Sequence, residues 1–181
     1  MRLLPIPIMR TKERGAMNRY ICAAVFCTFV TLAHATDVLK RFGSWAVIRA
    51  SDGVDLIAIT VNEAGSSVGF RCFATSQECI HVLSANIICK DGDTQPVLIN
   101  SDHSALSMNA VCSINGNNHE LLLTNYDVIH EILKKGSHVG FAMPMESGQF
   151  KVVRFSLDGS GTAMDFVEEA TSRLKRGDSY L

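Results

Sequence analysis

Residues 72–112 read CFATSQECIHVLSANIICKDGDTQPVLINSDHSALSMNAVC. The four cysteines of this stretch, Cys72, Cys79, Cys89 and Cys112, are all the cysteines that lie outside an N-terminal apolar run. Cys72 and Cys79 are seven residues apart. If Thr75-Ser76 is a two-residue hairpin loop, Ala74 opposes Gln77, Phe73 opposes Glu78, and Cys72 faces Cys79. Directly opposed residues of antiparallel strands have Cα atoms about 4.5–5.5 Å apart, a separation a disulfide tolerates. Of the three connectivities open to four cysteines, this register favours Cys72–Cys79 with Cys89–Cys112. The second bridge would close a loop of about two dozen residues and contribute roughly 3 kcal/mol on the chain-entropy model. The spacings lack the close Cys-x2–4-Cys pair that seeds a zinc site, and no Cys-x-x-Cys redox motif is present.

Disulfides imply an oxidising compartment, and the start of the chain points the same way. Arg19 precedes an uncharged apolar run from Ile21 to Ala33, which is followed by Ala33-His34-Ala35. A basic residue, a short apolar core and a small-x-small site describe a secretory signal peptide over residues 17–35, cleaved near Ala35. The run of about 13 residues is shorter than the roughly 20 that a membrane helix needs. Residues 1–16 sit awkwardly upstream of such a leader and read as a gene-model extension, with Met17 as the start. No stable membrane span is expected once the leader is removed. Residues 36–181 then form one disulfide-stapled domain with 12 Lys and Arg against 17 Asp and Glu, a net charge of −5. A mildly acidic domain lacks the basic field on which nucleic-acid binding depends.

The pattern outside the cysteine stretch is that of short strands. Residues 38–42 read as a lead-in. Trp45 and Val47 alternate with Ala46 and Ile48 as a first strand, with Trp45 as a core anchor. Asp52-Gly53 turns the chain into the β-branched run VDLIAITVN, and Val68, Phe70 and Cys72 mark a third strand. Further on, residues 97–100 form a short strand after Pro96, and residues 104–111 form another. Asn115-Gly116-Asn117-Asn118 is the clearest hairpin turn, and HELLLT follows it. The period then becomes helical in YDVIHEILKK. Asn125 or Asp127 is placed to cap that helix, and Gly136 suits a left-handed C′ position. Residues 138–157 form a long hairpin with bulky apolar residues, expected in the core. A final helix runs from about Thr162 to Lys175, with Ala163, Phe166, Val167, Ala170 and Leu174 on one stripe. The fold expected is mainly β: an antiparallel β-sandwich or flattened barrel of about eight to ten strands, with one short internal helix and a C-terminal helix.

Two clusters suggest chemistry and fail on spacing. Asp91-x-Asp93-x-Gln95 begins like a calcium loop, but the Gly and the distal bidentate Glu are out of place. Asp102, His103 and Ser104 are consecutive, whereas a Ser–His–Asp triad needs convergence in space. No catalytic, cofactor-binding or metal-binding residue is assigned.

The segment VVRFSLDGSGTAM, preceded by a short helix ending in Lys-Lys-Gly, resembles the C-terminal end of the invasion-associated locus B family. The matching positions are Gly136, Val152, Phe155, Ser156, Leu157, Gly159 and Ala163. Phe42-Gly43-Ser44-Trp45-Ala46-Val47 resembles that family's opening Trp strand. The cysteine spacing departs from the family's arrangement, so no disulfide pattern carries over. The resemblance implies an exported, β-rich envelope protein linked with host-cell entry, and it transfers no functional residue.

The function expected is that of an exported, periplasmic or secreted, non-catalytic interaction protein of the bacterial envelope, with a protein partner. One alternative is an exported hydrolase assembled in three dimensions from His81, His103, His119, His130 or His138 with carboxylates. Another is a structural component of an envelope assembly. A contiguous apolar patch on a sheet face would favour binding, a His–carboxylate cleft would favour the enzyme, and uncovered edge strands would favour assembly.

Overall fold

The structure, a computed structural model, describes residues 37–176; the leader read at residues 1–35 lies outside them. Ten strands form one antiparallel sheet: β1 (Val38–Phe42), β2 (Trp45–Arg49), β3 (Leu56–Val61), β4 (Ser67–Cys72), β5 (Cys79–Ser84), β6 (Thr94–Ser101), β7 (Ala105–Asn115), β8 (Asn118–Leu123), β9 (His138–Pro144) and β10 (Phe150–Ser156). Helix α1 (Tyr126–Lys135) joins β8 to β9, and α2 (Ser160–Arg176) closes the described chain. The spatial order is β1-β2-β3-β4-β5-β8-β7-β6-β9-β10. The sheet curls on itself, as the expected flattened barrel does. The lead-in at residues 38–42 is in fact the edge strand β1, and with β5 added to the three strands read from residues 45–72 the opening meander has five.

Two connections must skip strands. The link from β5 to β6 passes over β8 and β7, and the Cys89–Cys112 bridge pins it to β7. Around that bridge the Gly92 N–H donates to Cys112 O and the Cys112 N–H donates to Asp93 O. Asp91 Oδ1 accepts the Ile114 N–H, so this carboxylate fastens the crossing. The link from β8 to β9 is α1. Pro96 lies inside β6 and not before it, opposite Asn109 of β7. Continued by two residues, the β6–β9 ladder would oppose Pro96 to Pro144. Neither has an N–H, and the pairing stops at Leu98↔Ala142.

The core follows from period two. Trp45, Val47, Leu56, Ala58, Val68, Phe70, Leu83, Val97, Ile99, Phe141, Met143, Val153 and Phe155 point into the curl and are buried. Helix α2 lies against β1–β4 and against α1, while α1 lies against β5. Ser160 Oγ donates within 2.5 Å of Leu133 O and 2.7 Å of Leu157 O, tying the start of α2 to the end of α1. Asn125 precedes α1 but makes no side-chain cap. Gly136 is extended (φ −76°) and not left-handed. It is needed for room: a Cβ there would sit 2.9 Å from Leu157 Cδ1 and 3.0 Å from Ile132 O.

The two ends of the sheet meet at one corner. The Ser44 N–H donates to Asp158 O at 3.0 Å, Trp45 Nε1 donates to Ser156 O at 3.1 Å, and Ser44 Oγ lies 3.2 Å from Ser156 Oγ. Gly159 (φ +83°) makes this approach possible, because a Cβ on it would stand 2.0 Å from Phe42 O.

Candidate interaction surfaces

The outward face of the first half of the sheet carries two mainly apolar rows, with Ser67, Ser84, Glu120 and Ser113 in the row beside them. Register places Ala46, Ile59, Gly69, Val82, Leu122 and Val111 in one row across six strands. A second row brings Ile48 beside Ile57, with Arg71 and Ile80 next in line. Gly69 is buried and its neighbours are half-buried, because Ile57 and Ile59 fold across the glycine. The one charge in these two rows, Arg71, is held at the side. Its Nε and Nη2 donate to Asp55 Oδ2 at 3.2 and 2.6 Å, Nη2 also reaches Asp52 Oδ2 at 3.1 Å, and the guanidinium lies over the Phe73 ring. The Val54 N–H bond to Asp52 is the main cause holding that carboxyl below its ordinary range; Arg71 adds to it and partial desolvation opposes it.

A second surface lies at β10. Leu157 N–H donates to Ser137 O and Met145 N–H to Gln149 O. Those bonds fix the antiparallel alternation, so odd-numbered residues of β10 bond to β9 and even-numbered ones turn N–H and C=O to the free edge. Two even positions are used at the closed corner: Arg154 O accepts from Asn62 Nδ2 at 3.4 Å, and Ser156 O accepts from Trp45 Nε1. Phe150 and Val152 lie beyond it. A groove of about 780 Å³ opens there between β10 and residues 60–64, with Val61, Glu63, Lys151 and Arg154 on its walls. The hairpin expected to lie wholly in the core is thus split. Val153 and Phe155 are buried, whereas Phe150 and Val152 are 58% and 47% exposed and Leu98 is 48% exposed. Strict alternation was the signal that could have found this, since Phe150, Val152 and Arg154 share one face of a strand.

The cysteines form the bridges Cys72–Cys79 and Cys89–Cys112, with Cα separations of 4.1 and 6.1 Å. Cys72 pairs with Cys79 across β4 and β5, but the loop is not a two-residue turn. The Gln77 N–H donates to Phe73 O, and Gln77 takes a left-handed φ of +66°, so Ala74 and Gln77 are not strand partners. One nitrogen of His119 comes within 4.8 Å of both sulfurs of the second bridge. Those sulfurs are bonded to each other, so they are not thiolate ligands. His119 Nδ1 lies 2.9 Å from Cys89 O, which assigns it a structural hydrogen bond.

The remaining histidines scatter. His81 is fully buried on β5, among Phe70, Tyr126 and His130, at ring separations of 4.9, 5.2 and 5.5 Å. Neither of its nitrogens has a partner, nor has His130 Nδ1. Desolvation, with a smaller contribution from His130, pushes the His81 pKa down to about 3, so this imidazole is neutral. His138 Nδ1 lies 3.1 Å from Ser137 Oγ, and Ser137 Oγ lies 3.0 Å from Asp102 Oδ2. In a catalytic triad the imidazole stands between serine and carboxylate. Here Asp102 grips the Ser137 N–H and hydroxyl and fixes the turn into β9. Desolvation pushes the Asp102 carboxyl up, the bonds from Ser137 outweigh it, and the net shift is downward. Asp102 also pairs with exposed His103 at 3.4 Å. Among the described residues no carboxylate is hydrogen-bonded to His119, His130 or His138, and no helix is long and apolar enough to cross a membrane.

No protein-family model matches the chain, and no curated protein matches it. Among solved structures, the fold is similar to the crystal structure of invasion associated protein B from Bartonella henselae, with a TM-score of 0.55 and 12% sequence identity. The match covers 74% of this chain and 97% of that one. The resemblance read from the Trp45 strand and the segment ending at Met164 is thus matched at the level of the fold.

Proposed function

We propose that this chain is an exported, non-catalytic interaction module of the bacterial envelope, and that it docks a protein partner on the outward face of β2–β5 and β8. The observation that carries this reading is the unbroken apolar row Ala46–Ile59–Gly69–Val82–Leu122–Val111 with Ile48 and Ile57 beside it. Apolar surface of this extent on a sheet whose other face is already packed gains most by being covered. Two disulfides support an oxidising compartment. In this reading residues 17–35 are the leader, cleavage falls near Ala35, residues 1–16 are a gene-model extension, and residues 36–181 are the mature protein. The likeness to an invasion-associated protein supports host interaction as the setting.

Cell fractionation with N-terminal sequencing of the mature protein tests export. A photo-crosslinking residue in place of Ile59 tests the face. The expected product is one discrete partner, lost when Val82→Asp is added, with no such product from the same crosslinker at exposed Val54. Equal crosslinking from positions 54 and 59 would overturn the docking face. A component of an envelope assembly is the second reading, favoured by the terminal strands β1 and β10, each of which has a strand on one side only among the described residues.

A further inference from the structure

We infer that the free edge of β10 is a second, separate binding site, and that it takes an extended acidic peptide segment as an eleventh strand. Three observations converge on residues 150–154.

The first is backbone. Phe150 and Val152 turn their N–H and C=O groups to an edge that carries no strand among the described residues. The groove between that edge and residues 60–64 supplies a second wall. A bare edge strand offers a ladder on one side only, whereas here an incoming strand would be flanked.

The second is apolar surface in register. Val152 opposes Ala142, which opposes Leu98, while Phe150 opposes Pro144. A strand added to β10 would extend these rows by one residue each, with its alternate side chains over Val152 and Phe150.

The third is charge, and it decides the occupant. Lys151 and Arg154 border the groove, and neither is in an ion pair among the described residues. The only carboxylate on its walls is Glu63. The opposite edge, β1, also carries cations, Lys40 and Arg41. Pairing β10 with β10 of a second copy, or with its β1, would therefore set cation against cation in a domain that is otherwise acidic. Edge cations block self-association, and the same cations attract a foreign strand bearing carboxylates. In antiparallel orientation that strand reads acidic-x-apolar-x-apolar, with its apolar residues paired to Val152 and Phe150 and its acidic residue reaching the Arg154 side chain at the end where Asn62 already bonds Arg154 O.

The probe is a fluorescein-labelled peptide, Ser-Glu-Thr-Val-Thr-Val-Ser, titrated with the full mature chain and followed by anisotropy. Saturable binding is expected, weakening as salt rises. The same peptide with Lys for Glu should bind about tenfold more weakly. Val152→Pro removes an N–H that β9 does not use and should weaken the Glu peptide by about tenfold. Arg154→Glu should reverse the preference between the two peptides. Circular dichroism establishes that both variants fold, and Arg154→Glu stands as the test if Val152→Pro does not. No binding by the wild-type chain at millimolar concentration, or equal binding of the Glu and Lys peptides, would overturn the inference. Ile59→Asp should leave peptide binding unchanged, so failure at the edge and failure of the apolar docking face are read separately.

Discussion

The two halves of this sheet treat their outward faces differently. In β2–β5 and β8 the outward residues include Ala46, Ile48, Ile57, Ile59, Ile80, Val82 and Leu122, half-buried, with Arg71 drawn aside by Asp52 and Asp55 and with Ser67, Ser84 and Glu120 on the same side next to them. In β6, β9 and β10 the outward residues alternate properly with the core; Phe150 and Val152 are exposed on the edge strand, and Leu98 is exposed two strands in, across Ala142 from Val152. The first half is backed by helices on its inner side, so its outer apolar rows add nothing to the described core. The second half fills its own interior with Val97, Ile99, Phe141, Met143, Val153 and Phe155. The first half carries surplus apolar area and the second carries surplus backbone donors and acceptors. Each kind of surplus suits a different partner: a broad apolar surface for one, an extended strand for the other.

Four experiments can break or sharpen that contrast. The largest effect is expected at the corner where the halves meet. Gly159→Ala places a Cβ where the backbone of Phe42 stands, at a φ that alanine resists. It should cost about 3–4 kcal/mol in urea unfolding. A cost under about 1 kcal/mol would mean that the halves do not depend on this junction.

Next comes the crossing between them. Cys89→Ser with Cys112→Ser frees the β5–β6 link and should cost about 3 kcal/mol, whereas opening the shorter Cys72–Cys79 loop should cost less. The reverse order would show that the hairpin, and not the tether, organises the sheet.

Third is the buried imidazole of the first half. The folded pKa of His81 is about 3, against an ordinary value of 6.5. Below pH 6.5 the unfolded chain takes up a proton that the folded chain refuses, so stability falls by about 1.4 kcal/mol per pH unit until pH approaches the folded pKa. Between pH 7 and pH 5 the loss should be about 2 kcal/mol. His81→Phe should flatten that part of the profile, and an unchanged profile would show that His81 is not the source.

The smallest effects distinguish the surfaces. Ile59→Ser loses half-buried area and should cost about 1 kcal/mol, while Val152→Ser should change stability by no more than about 0.5 kcal/mol. Equal and large costs at both positions would mean that Val152 packs as core. Equal and negligible costs would mean that the isoleucine face is less continuous than its register implies.

Much of the fold was legible in the residues. The Asn115–Asn118 turn and the period change at Tyr126 are local patterns, and the structure keeps both of them. The pairing of Cys72 with Cys79 followed from a seven-residue spacing, although the turn between them is wider than a two-residue loop. The outer face was harder to see. Runs such as LIAITV are apolar at every position, and a run of that kind reads simply as a buried strand. That Ile57 and Ile59 face outward depends on which side the helices cover. The edge at β10 was not legible at all, because strand order is a property of long-range pairing. His81 reads only as an ingredient of the alternative hydrolase for the same reason: one residue in an alternating strand says nothing of the helix that will cover it.

The sequence by itself determined most of the strands and both helices, and it favoured one disulfide pairing of three, because these rest on side-chain period, turn chemistry and short loops. Only the tertiary structure decided that β8 inserts beside β5, that β10 is left open, that Ser137 and His138 meet Asp102 without forming a triad, and that Ala46, Ile59, Gly69, Val82, Leu122 and Val111 make one row. Those outcomes join residues far apart in the chain, and no local pattern of charge or hydrophobicity specifies which distant strands become neighbours.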